Sequence, residues 1–309
     1  MEVLINLLLL VLGFAMLVKG ADWFVEGAAG IAAKFGIPQL IIGLTIVAMG
    51  TSAPEAAVSI TAALKGTADI TVGNIVGSNI MNILVILGVA SAITTIAVAE
   101  STIRYEIPFM IGITLLLLGL GCTGNSISFA EGIILWIAFL AYFVYLFFMA
   151  KKNREEQEEI KDRPWWQLLL FTAVGLVLIV LGSDVTVDAA SAIARIAGLS
   201  ERFIGLTIVA LGTSLPELVT SVTAARKHNA DIAIGNVVGS NIFNILFVVG
   251  TSALVTPIPF AANFRIDMLI AAAAAVLLWW FGYRDRKLKR PEGIIMLLCY
   301  AGYFIYLLV

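Results

Sequence analysis

Long apolar segments, separated by short polar breaks, follow one another along the whole sequence. A helix of about 20 apolar residues crosses the roughly 30 Å hydrocarbon core of a bilayer, and each segment is long enough to do so. The pattern therefore predicts an all-α polytopic membrane protein with ten transmembrane helices. Their approximate ranges are 2–33, 38–65, 69–97, 104–124, 127–150, 165–196, 203–226, 230–256, 265–284 and 291–309.

Composition agrees with this interpretation and excludes a soluble domain. Hydrophobic residues make up 61% of the chain, charged residues only 13%, and the mean hydropathy is +1.02. The first segment lacks a basic start and a small-residue cleavage pattern, so we expect a retained helix, not a signal peptide. Apart from the lipid bilayer, neither a nucleic-acid partner nor a protein partner is predicted.

The placement of basic residues predicts the orientation in the membrane. With ten spans, fourteen Lys and Arg residues lie on the side opposite the N-terminus and four on the N-terminal side, leaving Lys19 inside the first span. Because cytoplasmic loops are enriched in Lys and Arg, both termini are predicted to be extracytoplasmic, in the cell membrane. The charged stretch 151–164 then becomes a cytoplasmic linker between two five-helix halves, 1–150 and 165–309.

The two halves carry an internal duplication. At a constant offset of 162 residues, positions 43–87 align with 205–249 without a gap, and 29 of these 45 positions are identical. An odd number of spans in each half makes the second copy enter the membrane from the opposite side. We therefore predict inverted repeats, with repeat cores at about 38–97 and 203–256, and a binding site near the membrane midplane where they meet.

Each repeat places a carboxylate in the middle of an apolar segment: Glu55 in the run GTSAPE and Glu217 in GTSLPE. Such a group costs at least about 2.5–3.5 kcal/mol at the bilayer centre, so it normally faces a partner or a cavity. Pro54 and Pro216 lack an N–H and crowd the carbonyl four residues earlier, which predicts a helix break there. The carbonyls expected to be freed are those of Ala48, Gly50 and Thr51, and of Ala210, Gly212 and Thr213.

A second run follows about twenty residues later in each half, GNIVGSNIMN and GNVVGSNIFN. Ser78 and Asn82 share one helix face because they are four residues apart, as do Ser240 and Asn244. Together with the carboxylates and carbonyls they would form an all-oxygen cluster. Such a cluster suits the hard cations Ca²⁺ or Na⁺ far better than zinc or copper.

These paired runs resemble the α-repeats of the cation/calcium exchanger superfamily, and most closely its sodium/calcium exchanger branch. The resemblance implies an antiporter that exchanges Na⁺ for Ca²⁺ by alternating access, with no cofactor and no enzymatic activity. It assigns Ca²⁺ to Glu55 and Glu217 with the carbonyls of Thr51 and Thr213. It assigns flanking Na⁺ sites to Ser52, Ser78, Ser214 and Ser240 with the carbonyls of Ala48 and Ala210, and it includes Asn82 and Asn244 in the site.

Differences from related branches narrow the expectation. Potassium-dependent exchangers carry an aspartate where this chain has Asn244, so transport is predicted not to need K⁺. Proton/calcium exchangers lack the Thr-Ser-x-Pro-Glu run found here, although exchange of H⁺ or another cation for Ca²⁺ stays an alternative. Two remote alternatives are a passive cation channel and an intramembrane hydrolase, and the single histidine, His228, has no counterpart in the first half.

Overall fold

The computed structural model describes residues 2–152, 163–198 and 210–308, and these residues are almost entirely helical, which confirms the all-α prediction. Most of the predicted linker 151–164, and the start of the second repeat core at 203–209, lie outside the described residues.

The helices follow the predicted segments closely. The first half contains α1 (Glu2–Phe35), α2 (Gln39–Thr51), α3 (Ala53–Leu64), α4 (residues 69–93), α5 (Thr102–Gly124) and α6 (Phe129–Lys152). The second half contains α7 (Trp165–Ile196), α8 (Ala210–Thr213), α9 (Leu215–Arg226), α10 (Ala230–Val255), α11 (Ala262–Asp285) and α12 (Arg290–Leu308). Single π-helical turns interrupt these helices at Gly43–Val47, Asn82–Leu87, Thr102–Glu106 and Asn244–Val249.

Seven helices of the described part are long and apolar enough to cross a membrane, and α2 with α3 make an eighth if the bent pair counts as one span. Large apolar side chains along the outer faces of α1 and α6 are exposed, as expected for surfaces in contact with lipid. The chain is therefore a multi-pass membrane protein, and the count of ten spans stays a prediction.

The predicted helix break occurs at Ser52, between α2 and α3, where the axis bends by 51°. Ser52 has φ −82° and ψ 8°, and its counterpart Ser214 has φ −92° and ψ 3°. Pro54 and Pro216 fall in the first turn of the following helix, the part of a helix where a missing N–H does no harm. The proline thus starts α3 and α9 and separates each from the helix before it.

The helices α4 and α10 form the centre of the molecule. In the most apolar stretch of α10, 94% of the residues are buried, and in that of α4, 78% are buried. In α1 only 17% of the corresponding residues are buried. Gly43 of α2 lies against Gly235 of α10 so closely that a Cβ on Gly235 would be 2.9 Å from the Gly43 Cα. The two repeats are therefore joined at the centre by direct backbone contact.

On the outside, α1 packs against α7 along much of its length. The contact is made at glycines, because a Cβ on Gly20 would be 2.8 Å from the Gly175 carbonyl oxygen, and one on Gly175 would be 2.5 Å from the Phe24 backbone nitrogen. Only glycine permits this approach of two helices. α1 and α7 therefore form one unit that lies beside the buried centre.

Two short antiparallel strand pairs connect the halves. Strand β1 (Ile96–Ala97), between α4 and α5, pairs with β4 (Lys287–Leu288), between α11 and α12. Strand β2 (Ser126–Ile127), between α5 and α6, pairs with β3 (Ile258–Pro259), between α10 and α11. At the 162-residue offset that relates the halves, Ile96 of β1 corresponds to Ile258 of β3, and Ser126 of β2 corresponds to Leu288 of β4. The two strand pairs are therefore counterparts of each other.

Candidate cation site

The two carboxylates predicted to face one site do lie together at the centre of the molecule. Glu55 and Glu217 are each 1% exposed. Ser52 Oγ of the first half donates a hydrogen bond to Glu217 Oε1 at 2.8 Å, and Ser214 Oγ of the second half lies 3.4 Å from Glu55 Oε1. Each carboxylate is therefore held by a hydroxyl from the opposite repeat.

The backbone beside each carboxylate is fixed by an asparagine of the neighbouring helix. Asn74 Nδ2 donates to Ser59 Oγ at 2.9 Å and lies 3.3 Å from the Glu55 carbonyl oxygen. Asn236 Nδ2 makes the equivalent bond to Ser221 Oγ at 2.9 Å. These amides therefore fix the first turn after each break, the turn that carries the carboxylate. Their role was missed in the sequence, where the second run drew attention to its Ser and C-terminal Asn residues.

Four asparagines form a network between the repeats. Asn79 Nδ2 donates to the Asn241 carbonyl at 3.3 Å, and Asn241 Nδ2 donates to the Asn79 carbonyl at 3.1 Å. Asn82 Nδ2 donates to Asn241 Oδ1 at 2.9 Å, and Asn244 Nδ2 donates to Asn79 Oδ1 at 3.1 Å. Since the amide nitrogens of Asn82 and Asn244 are both used in this way, their oxygens are left available.

Four acceptor oxygens of this cluster are buried with no hydrogen-bond partner in the part of the chain that the structure describes. They are Glu55 Oε2, Glu217 Oε2, Asn82 Oδ1 and Asn244 Oδ1, and so form two equivalent pairs. A buried acceptor without a partner costs about 1–3 kcal/mol, and more when the group is charged. A cation that binds these oxygens would remove this penalty and the repulsion between two neighbouring carboxylates.

The remaining predicted ligands lie on α4, on α10 and on the two helices that end at the breaks, α2 and α8. Thr51 is fully buried, and its hydroxyl is within hydrogen-bond distance of the Val47 carbonyl at 3.1 Å and of Asn236 Oδ1 at 3.0 Å. Ser78 is 5% exposed on α4, one turn before Asn82. Thr213 is half-buried at the end of α8, and Ala210 begins that helix.

The prediction that the break frees the Ala48 carbonyl is wrong. This oxygen accepts the Ser52 backbone N–H at 3.0 Å, because the chain stays helical up to Thr51. The Ser240 hydroxyl, from the other repeat, lies 3.4 Å from the same oxygen. The Ala48 carbonyl therefore already accepts from two donors in this conformation, and an ion would bind it in place of the Ser240 hydroxyl.

Two acidic residues of α1, Asp22 and Glu26, form ion pairs with residues outside the candidate site. Asp22 Oδ1 lies 3.1 Å from Lys227 Nζ at the end of α9, and Glu26 pairs with Arg163. Their counterparts in α7 at the 162-residue offset, Asp184 and Asp188, are exposed, and within the described residues no ion pair joins Asp184 to the Lys227 counterpart, Lys65. The two ends of the molecule thus differ, although the sequence repeats.

Comparisons with known proteins agree on one family. Residues 5–149 and 167–309 match the family described as "Sodium/calcium exchanger protein". The chain is 41% identical to the putative antiporter CaxA of Alkalimonas amylolytica, over 97% of this chain and 98% of that protein. It is 32% identical to the sodium/calcium exchanger MaX1 of Methanosarcina acetivorans, over 98% of both chains. A solved structure of the sodium-calcium exchanger NCX_Mj superimposes with a TM-score of 0.86 at 31% identity, over 99% of both chains.

Proposed function

Because this chain belongs to the sodium/calcium exchanger family, we propose that it couples inward movement of Na⁺ to outward movement of Ca²⁺. The family itself establishes the broader function: the protein is a multi-pass membrane antiporter that carries cations, and it is not an enzyme. The resemblance inferred from the two GTSxPE runs is thereby confirmed, and the hydrolase and passive-channel alternatives are set aside.

The observation that carries the proposal is the set of four buried oxygens without partners. Two carboxylates can neutralise one Ca²⁺, which prefers six to eight oxygen ligands, and the amide oxygens of Asn82 and Asn244 add neutral ligands. We assign Ca²⁺ to Glu55 and Glu217, with the carbonyls of Thr51 and Thr213 completing its shell.

The flanking hydroxyls supply the sites for Na⁺ in this proposal. Na⁺ is also a hard cation that prefers oxygen, and Ser52 and Ser214 already contact the carboxylates. Together with Ser78, Ser240 and the carbonyls of Ala48 and Ala210, these hydroxyls would hold Na⁺ ions that share the two negative charges. Since Ca²⁺ needs the same charges, the two ions would compete for them.

The strand pairs support the inverted ten-span arrangement. Pairing of β1 with β4 requires the α4–α5 and α11–α12 loops to lie on one side of the membrane. Pairing of β2 with β3 requires the α5–α6 and α10–α11 loops to share a side as well. If each bent pair and each long helix crosses once, both conditions are met, and counterpart loops face opposite sides. We propose that α1 and α7 move against this framework, which exposes the site to each side in turn.

Ca²⁺ flux into proteoliposomes tests the choice of counter-ion. With purified protein and no membrane potential, we expect Na⁺ trapped inside the vesicles to drive Ca²⁺ uptake, and an equal pH gradient without Na⁺ to drive none. Uptake that follows the pH gradient and ignores Na⁺ would replace Na⁺ by H⁺ and leave the cation site itself in place.

The same vesicles test for a K⁺ requirement. Asn244 is neutral and its amide nitrogen bonds to Asn79, so among the described residues the site carries only the two carboxylate charges of Glu55 and Glu217. We therefore expect Na⁺-driven Ca²⁺ uptake to be unchanged when K⁺ on both sides is replaced by choline. A several-fold loss of uptake without K⁺ would contradict the assignment.

The ion pair between Asp22 and Lys227 is expected to hold the α9 end of the molecule closed in this conformation. Partly exposed pairs contribute about 0.2–1 kcal/mol, so Lys227→Gln should raise the open population by up to about fivefold. Hydrogen exchange of the α1 amides near Asp22, read by mass spectrometry, should rise accordingly. Lys65→Gln is the matched control, and equal exchange in both variants would refute the assignment.

A further inference from the structure

A cavity lined by unsatisfied polar groups lies between α5 and α6, two helices that contribute no residue to the candidate cation site. Its volume is about 350 Å³, which falls within the range of about 300–1,000 Å³ found for small-ligand sites. Its mouth is on the outer surface of the molecule, where Tyr105 and Ala141 are exposed. Tyr145 lies seven residues before the end of α6 at Lys152, or about 10 Å along the helix axis, so the cavity sits at the level where lipid chains meet their headgroups.

The cavity contains a carboxylate that the transport mechanism does not use. Glu106 is completely buried, and its Oε1 accepts a hydrogen bond from the Tyr145 hydroxyl. Its Oε2 has no hydrogen-bond partner among the described residues. A buried carboxylate oxygen in this state is a strong acceptor for a donor that enters from outside.

Aromatic rings surround this carboxylate. Tyr142 is 5% exposed, and its hydroxyl is also buried with no partner in the described part of the chain. Its ring stacks on Phe109 with centroids 5.3 Å apart, and Tyr105 and Tyr145 complete the lining. Aromatic faces attract a cation, and the two free oxygens can accept N–H donors. The interior of the cavity is therefore suited to an ammonium group that carries hydrogens.

The mouth of the cavity is positively charged, whereas its interior contains the Glu106 carboxylate. Arg104 lines the cavity and is exposed, and it also lines a neighbouring cavity together with Arg286. Glu100 lies between these two arginines, at 2.7 Å from Arg104 and 3.0 Å from Arg286, so the group keeps one net positive charge. An anionic phosphate at the mouth would complement this charge and leave the ammonium to the interior.

We propose that this cavity binds the headgroup of a phospholipid with a primary amine, phosphatidylethanolamine. After a small displacement of the lining side chains opens these two buried oxygens to the cavity, the ammonium would donate to Glu106 Oε2 and to the Tyr142 hydroxyl, while the phosphate contacts Arg104 and the acyl chains follow the exposed apolar face of α6. A quaternary ammonium has no N–H, so phosphatidylcholine would leave both oxygens without donors. Phosphatidylglycerol has no cation at all.

Native mass spectrometry of the full-length protein in detergent tests the proposal, with the three lipids carrying identical acyl chains. We expect the wild-type protein to retain one phosphatidylethanolamine about tenfold or more above the other two lipids, as a charge-assisted hydrogen bond predicts. Glu106→Gln should abolish this preference. Asp267→Asn, which removes a carboxylate bonded to Tyr303 at 3.2 Å in the other half, is the matched control and should keep it.

The lipid preference of the wild-type protein and of its variants decides whether this headgroup occupies the cavity. Equal retention of phosphatidylethanolamine and phosphatidylcholine by the wild-type protein, or a preference that survives Glu106→Gln, would overturn the proposal. If Glu106→Gln fails to fold, Tyr142→Phe keeps the ring and should still lower the preference. Displacement of the lipid by an equal concentration of soluble phosphoethanolamine would show that the site recognises the free headgroup and not the lipid.

Discussion

Replacing Glu217 or Glu55 by glutamine is expected to abolish Ca²⁺ transport. Each carboxylate is buried, and each contributes one of the two charges that would neutralise Ca²⁺. Removing one partner of a buried charged contact costs about 2–5 kcal/mol or more, which corresponds to a loss of Ca²⁺ affinity of about 30-fold to several thousand-fold. The measurement is Na⁺-driven Ca²⁺ uptake into proteoliposomes, together with the melting temperature of the detergent-solubilised protein as Ca²⁺ is added.

The second measurement separates loss of binding from loss of fold. A ligand that binds only the folded state raises the melting temperature, so the wild-type protein should gain stability with Ca²⁺ while both glutamine variants should not. Asp267→Asn serves as the control, because its carboxylate lies on α11 and bonds to Tyr303. Transport above half the wild-type rate in either glutamine variant would remove the central assignment.

Adding one methyl group at Gly175 is expected to impair transport strongly. A Cβ there would lie 2.5 Å from the Phe24 backbone nitrogen and 2.8 Å from the Gly20 carbonyl oxygen, so Gly175→Ala forces α1 away from α7. Overpacking of this kind costs about 1–3 kcal/mol. We expect a melting temperature lower by several degrees and Ca²⁺ uptake lower by about tenfold, since the proposed motion needs the two helices to stay together.

Gly119→Ala is the matched control for this substitution. Gly119 lies on α5, is exposed, and a Cβ there would meet nothing within 4 Å. Alanine favours a helix by about 0.8–1.0 kcal/mol over glycine, so this variant should be as stable as the wild-type protein or slightly more so. Equal stability and equal transport in the two alanine variants would mean that the contact between α1 and α7 is dispensable.

The features that could be predicted from the sequence are those that one repeat displays by itself. Glu55 and Glu217 are conspicuous because a charge in an apolar span is expensive and because the duplication presents it twice. The breaks follow from Pro54 and Pro216, whose rings do not fit a continuing helix. These residues indicated the family, and the comparisons confirm it.

Contacts between the repeats could not be predicted in the same way. Asn79 and Asn241 lie one position away from the Ser78 and Ser240 faces, so helical spacing favours a structural role for them. The structure shows that they bond across the interface and occupy the amide nitrogens of Asn82 and Asn244, which leaves the two amide oxygens without a partner among the described residues. Neither helix alone contains this information, because the partner of each asparagine belongs to the other half.

Details of the backbone depend on how a break is accommodated. Proline has no N–H, so the carbonyl four residues before it loses its helical hydrogen bond. The proline does not determine where the helix axis turns. Here the turn occurs at Ser52, so the helix keeps the bond between the Ala48 carbonyl and the Ser52 N–H, which the sequence alone predicted to be lost.

The bonds between opposite repeats at the cation site have a consequence for how such a protein could have arisen. Ser52 holds the carboxylate of the second half, Ser214 contacts that of the first, and Asn79 and Asn241 bond to each other. A polypeptide made of one half would contain a carboxylate without its hydroxyl donor and an asparagine amide without its hydrogen-bond partner. The smallest ancestor able to bind the ion would therefore be a pair of identical half-length chains, and gene fusion would have made an existing dimer permanent.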